Sequence, residues 1–209
     1  MIAEALNGWL RKAPAWPIYI VGPLPAVFLV WQGVAGTLGP DPVRAIEQQT
    51  GLYALQLIIA GLAVTPLRRF AGVNLLKFRR AIGIMAFSYV AVHLLTWLVL
   101  DMGLYLTQAV GDVVKRPYIT LGMSAFLMLV PLVATSNDRA LRRLGAARWR
   151  KLHRLTYPAA VLAAVHFVWL VKAWPLQPFL YLGAVAGLLA LRAKPKRRAP
   201  AAAQGAVSP

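Results

Sequence analysis

The sequence predicts an all-α membrane protein: a six-transmembrane-helix bundle with both termini cytoplasmic. Three observations predict it. Of the 209 residues, 59% are hydrophobic and 14% charged, against about 45–50% and 25% in soluble domains. The apolar residues fall in six blocks, near 17–36, 51–67, 81–100, 118–134, 156–172 and 174–191, on the scale of the ~20 residues that a bilayer demands. The charge is one-sided along those blocks.

The first block follows a short charged stretch, as a signal peptide would. It is too long for such a segment and runs into TLGPDP without a small-x-small cleavage site, so it reads as a membrane helix. Pro17, Pro23, Pro25, Pro66, Pro131 and Pro158 fall near the ends of blocks or inside them. Membrane helices tolerate this where neighbours satisfy the freed backbone groups. No internal repeat is recognisable.

Residues 1–16, the connections after the second and fourth blocks, and the tail hold all but Arg44, Lys115, Arg116 and Lys172 of the 23 basic residues. Cytoplasmic loops carry the excess of Lys and Arg. The chain therefore divides into a cytoplasmic N-terminal segment 1–16, a membrane domain 17–191, and a basic Ala/Pro-rich tail 192–209 expected to be disordered.

The formal net charge of +17 does not point to nucleic acid, because it follows topology rather than one face of a soluble domain. Anionic membrane lipid is the partner expected of these loops. The chain has no cysteine, which excludes disulfides, thiolate metal sites and iron–sulfur clusters. Redox chemistry here needs an imidazole-held or non-covalent cofactor.

Three histidines remain. His93 lies about thirteen residues into the third block, and His166 lies thirteen beyond His153, itself near the start of the fifth. Both blocks enter from the same side. At ~1.5 Å per residue both His93 and His166 sit roughly 19 Å from the cytoplasmic end. Two imidazoles at one level on two helices match the axial pair of a bis-histidine haem. Ala159, Ala160, Ala163 and Ala164, with Gly83 and Ala86, would leave room for a flat macrocycle. Phe87, Tyr89, Trp97, Phe167 and Trp169 would pack around it. The competing readings of the pair are helix–helix hydrogen bonding and a proton relay in a small transporter.

His153 lies about 220° around an ideal helix from His166, near the cytoplasmic interface. Its counterpart fourteen residues before His93 is Arg79, which cannot ligate iron. The cluster Arg79, Arg80, Arg150, Lys151 and His153, with Trp149 for stacking, is a candidate site for an anionic flavin phosphate or a quinone. The competing reading is positive-inside topology.

The pieces TGLYALQLIIAGLAVTPLRR, RRAIGIMAFSYVAVHLLTW, KRPYITLGMSAFLMLVPLVATSN and RLGAARWRKLHRLTYPAAVLAAVHFVWLVK cover most of residues 50–172. They resemble the ferric-reductase-like transmembrane domain shared with NADPH oxidases and metalloreductases. They are most similar to the MsrQ (YedZ) family of haem-binding membrane subunits. The resemblance implies a b-type cytochrome of the bacterial inner membrane carrying haem b and FMN. Electrons would come from the quinone pool or a flavin reductase and pass to a periplasmic molybdopterin enzyme, MsrP, which repairs methionine sulfoxide in oxidised proteins.

By position, His93 and His166 match the outer haem pair, and His153 matches half of an inner pair. Arg79 stands where oxidases and ferric reductases have a fourth histidine, which favours flavin over a second haem at that level. No nicotinamide-binding domain follows, so the chain is not expected to oxidise NADPH or to act on methionine sulfoxide by itself. A related quinol or ferric reductase with another acceptor is the nearest alternative.

Overall fold

A computed structural model describes residues 2–171 and 174–192, and every regular element among them is helical. α1 (Ile2–Lys12) opens with Glu4 and closes with Arg11 and Lys12, charges that complement the helix dipole. The first apolar block forms two helices, α2 (Pro17–Val21) and α3 (Leu24–Val34), divided at Gly22–Pro23. A Cβ on Gly22 would lie 2.5 Å from Met85 Sδ, so glycine lets this corner press onto the next layer.

α4 (Pro42–Phe70) starts with Asp41 as N-cap, its carboxylate accepting the Arg44 N–H at 3.0 Å, and with proline in the first turn. A 3₁₀ turn (Leu76–Phe78) leads into α5 (Arg79–Leu95), which continues as a π-helical turn, Thr96–Asp101. Next come α6 (Leu106–Lys115) and α7 (Pro117–Ala134). α8 (Asp138–Leu152) is capped by Asn137 and breaks at Gly145, where φ is 71°. A 3₁₀ turn (His153–Leu155) joins it to α9 (Thr156–Leu170), and α10 (Leu176–Arg192) follows.

Each predicted block thus contains helix. The stretches Pro17–Val34, Pro42–Phe70, Leu76–Asp101 and Pro117–Ala134 are long and apolar enough to cross a membrane. α9 and α10, with 15 and 17 residues, rise about 22–26 Å, somewhat short of a ~30 Å hydrocarbon core.

α4 packs chiefly on α5, and α7 on α9. The core joins Leu55, Ile58 and Leu62 of α4 to Ala86, Leu129, Leu132, Ala159, Ala160, Ala164 and Val185. This corrects one expectation. Ala159, Ala160 and Ala164 are fully buried against neighbouring helices. They leave no slot for a macrocycle but allow close helix approach, the usual use of small residues in membrane bundles. Ala86 is buried in the same way, whereas Gly83 has open space beside it.

The basic connections gather at one end of the bundle. The Asn7 amide donates to the Gly72 carbonyl (2.8 Å) and accepts the Asn74 N–H (2.9 Å). Lys77 Nζ donates to the Arg11 and Ala13 carbonyls, and Arg80 pairs with Asp138 at 2.6 Å. Arg192, expected at the head of the tail, instead ends α10. Lys172 and residues 193–209, including the rest of the tail, lie outside the described residues.

Candidate functional site

His93, near the C-terminal end of α5, and His166, on the last turns of α9, face each other with ring centres 6.3 Å apart and planes turned 73°. Each ring is held by one nitrogen. His93 Nδ1 lies 2.8 Å from the Glu47 carbonyl of α4, and His166 Nδ1 lies 2.6 Å from the Tyr118 carbonyl of α7. A carbonyl only accepts, so both Nδ1 atoms carry the proton and both Nε2 atoms keep a free lone pair. Neither Nε2 has a hydrogen bond among the described residues. This is how a metal-ligating imidazole is oriented by its outer hydrogen bond.

The approach to each carbonyl is opened by the same device. Gly51 stands four residues after Glu47 and Gly122 four after Tyr118. A Cβ would lie 3.0 Å from Nδ1 and 3.1 Å from Cε1 of His93 at the first position, and the same distances from His166 at the second. Those contacts are tighter than most that a real Cβ makes, so a side chain there would push the ring back, and glycine clears the helix surface beside the accepting carbonyl. Sequence reading passed over both glycines and favoured Gly83. The signal lay in two matching intervals, Glu47–Gly51 before His93 and Tyr118–Gly122 before His166. It surfaces only once each histidine's partner helix is known.

The pair fits a haem. Metal–imidazole bonds of about 2 Å on either side, with each ring centre a further ~1 Å behind its nitrogen, put the centres near the observed separation. The π-helical turn beginning three residues after His93 is a feature common at functional sites. The aromatics expected to line the site find partners of their own. Phe87 stacks on Phe126 at 5.8 Å and Phe167 meets Tyr181 edge-on at 6.0 Å. Tyr89 turns away, its hydroxyl donating to the Gly22 carbonyl at 2.7 Å, and Trp169 is 58% exposed.

The inner cluster divides. His153 sits on the 3₁₀ turn, its ring stacked on Trp149 at 3.7 Å and its Nδ1 donating to the Trp149 carbonyl at 3.1 Å. Trp149 is pinned in turn by its indole N–H, which donates to the Thr135 carbonyl at 2.9 Å. The indole face expected to stack on a flavin is therefore taken, on one side, by His153. His153 Nε2 is sealed from solvent without a partner, and the nearby Leu132 carbonyl already accepts the Ser136 hydroxyl. Burial foremost, with the Arg79 cation adding to it, pushes the His153 imidazole below its usual range, against the pull of its Trp149 bond.

Arg79 therefore belongs beside His153. Arg80 is bound to Asp138, and Arg150 and Lys151 are exposed without a polar partner among the described residues. Sequence reading missed Arg192, which the fold brings to this level from the last helix. Its side chain reaches the Leu62 carbonyl (2.6 Å) and the Tyr157 hydroxyl (3.3 Å).

Comparison with known proteins shows the family. Residues 49–164 match the family described as ferric reductase like transmembrane component. The relatives include the protein-methionine-sulfoxide reductase heme-binding subunits MsrQ of Brucella anthropi, Brucella ovis and Brucella canis. Each is 46% identical over 177 residues, which is 85% of this chain and 80% of the relative.

Proposed function

Since the chain belongs to the ferric-reductase-like transmembrane family and, within it, to the MsrQ haem-binding subunits, we propose that it is a b-type cytochrome of the bacterial inner membrane. It carries electrons from the quinone pool or a cytoplasmic flavin reductase to a periplasmic molybdopterin partner, MsrP, which reduces methionine sulfoxide in oxidised proteins. The observation that carries this reading is the His93–His166 pair, with both Nδ1 atoms engaged and the rings 6.3 Å apart.

The residues that would hold haem b are His93 and His166, positioned by Glu47 and Tyr118. Such a haem supplies a one-electron ferric/ferrous couple. His153, with its unpartnered Nε2 beside Trp149 and Arg79, would serve the inner level, where a second iron or FMN would receive electrons from the donor. In this reading all six helices or helix pairs cross the membrane. The basic end faces the cytoplasm and the histidine pair lies toward the periplasm. A proton relay fits less well, because both Nδ1–H groups are committed to backbone carbonyls.

The test is spectroscopic. The purified chain should show a Soret band that shifts on dithionite reduction, and the reduced form should reoxidise on mixing with the periplasmic partner and methionine sulfoxide. A colourless, stable preparation would overturn the cytochrome. A reduced haem indifferent to that partner but reoxidised by ferric chelates would favour a ferric reductase instead.

A further inference from the structure

Among the described residues the buried polar side chains are Thr50 and Thr96, in a core that is otherwise apolar. Thr50, on α4, is wholly enclosed, at 0% exposure. Its hydroxyl lies 2.7 Å from the Ile46 carbonyl and 3.0 Å from the Glu47 carbonyl. A threonine that bonds back to the carbonyl four residues earlier is common in helices. What sets Thr50 apart is its second neighbour, because the Glu47 carbonyl is the one that holds His93 Nδ1 at 2.8 Å.

The donors at that oxygen outnumber its lone pairs. A carbonyl oxygen has two. Helix geometry assigns the Gly51 N–H to the Glu47 carbonyl, and the His93 Nδ1–H is the second donor. The Thr50 hydroxyl is a third, with one hydrogen to divide between Ile46 and Glu47. Its share toward Glu47 draws electron density from that oxygen and makes it a weaker acceptor for the imidazole. The Tyr118 carbonyl differs. Three residues after it stands Leu121, where Thr50 stands three after Glu47, and no hydroxyl among the described residues bonds to it. The two ring contacts differ in the same sense, 2.8 Å at His93 and 2.6 Å at His166.

We propose that Thr50 is a positioning residue that acts on His93 through the shared Glu47 carbonyl, so that the two imidazoles of the pair are unequal ligands. The outer hydrogen bond of a ligating imidazole raises its basicity. His166, on an unshared carbonyl, is the stronger donor, and His93, on a shared one, the weaker. Hydrogen bonding behind the axial ligands is one of the protein's levers on the iron's potential. A weaker imidazole stabilises the ferric state less, so the Thr50 hydroxyl raises the potential of the pair. This rests on the haem reading above and deepens it, by naming the group that makes the two sides of the site differ.

The experiment combines two readings on the full chain: the ring N–H signals of histidine labelled with nitrogen-15, in the reduced state, and the midpoint potential followed at the Soret band. With three histidines in the chain, the signals are few enough to assign by substitution. Thr50→Val keeps the shape and removes the hydroxyl. It should move the His93 Nδ1–H proton downfield, leave those of His166 and His153 in place, and lower the potential. Thr50→Ser should restore both values. Ser88→Ala removes a hydroxyl of α5 that bonds back to the Ile84 carbonyl at 3.1 Å and should change neither. Leu121→Thr sets a hydroxyl three residues after Tyr118, and should move the His166 proton upfield and raise the potential. It removes no hydrogen bond, so it decides the matter if Thr50→Val does not fold. An intact Soret band with both readings unchanged in Thr50→Val, or in Leu121→Thr, overturns the role of the hydroxyl and leaves the cytochrome standing. A chain without a Soret band whose His93 proton still moves in Thr50→Val defeats the cytochrome and upholds the shared carbonyl.

Discussion

His93 and His166 face each other 6.3 Å apart, each turned by a backbone carbonyl of a different helix and each cleared by a glycine. The bundle presents two imidazole lone pairs through one device used twice, once between α4 and α5 and once between α7 and α9.

Removing either ring should remove the axial pair. His93→Ala and His166→Ala are each expected to lose most of the Soret absorbance attributable to the pair, while His153→Ala leaves that component in place. Haem content per protein, by pyridine haemochrome, checks this. Equal loss in His153→Ala with retention in His93→Ala would reverse the pairing.

The glycines allow a subtler test. Gly51→Ala and Gly122→Ala put a methyl 3.0 Å from the imidazole Nδ1, so the ring must tilt or release its carbonyl. Changes to groups that orient a ligand cost roughly 10–100-fold in metal affinity. Haem retention during dilution should fall on that scale, and the low-spin electron paramagnetic resonance signal should shift as the ring planes turn. Gly83→Ala, with open space beside it, is the control and should change neither.

Arg192 and Pro66 should be coupled in stability. Arg192→Met strips the partner from the Leu62 carbonyl and should destabilise by about 1–3 kcal/mol, the cost of an unmet buried acceptor. Pro66→Ala supplies an N–H at the position that helix geometry assigns to that carbonyl. In that background the Arg192→Met penalty should shrink by ~1 kcal/mol, measured as a double-mutant cycle. Strict additivity would show that the arginine acts elsewhere.

The Arg80–Asp138 bridge sets a pH dependence. The Arg80 hydrogen bond, then its charge, hold the Asp138 carboxyl below its usual range. A carboxyl whose folded value is depressed stabilises above its unfolded value, and that contribution is lost as pH falls through the folded one. The link between α5 and α8 should therefore persist at neutral pH and open only below about pH 4. Limited proteolysis of the connection near residue 137 should accelerate there. Arg80→Gln should show the faster cleavage already at neutral pH, with little change in overall unfolding because the pair is exposed.

The parts legible in the sequence are those that depend on neighbours along the chain. Hydropathy marked the six helical blocks, although the first breaks at Gly22–Pro23, and Arg192 proved to end a helix rather than begin a tail. Counting ~1.5 Å per residue from the basic ends put His93 and His166 at one level, and the structure sets those two rings side by side, their centres 6.3 Å apart and their planes turned 73°. That arithmetic needs no knowledge of which helix lies beside which.

The remainder depends on which helices touch and in what register. Glu47 and Tyr118 are ordinary helical residues until a histidine 46 or 48 positions away reaches their carbonyls. Gly51 and Gly122 are ordinary membrane glycines until those rings need the space. The alanines of α9 looked like room for a ligand and are instead fully buried, in one core cluster with Leu55, Ile58 and Val185. Arg192 reaches the Leu62 carbonyl across 130 residues. Amino-acid types and their spacing determined the helices, the sidedness of the charge and the depth of the histidines, since apolar length and rise per residue are local. Tertiary packing alone decided where each imidazole points and which carbonyl Arg192 reaches, since those follow from the crossing of helices remote in sequence.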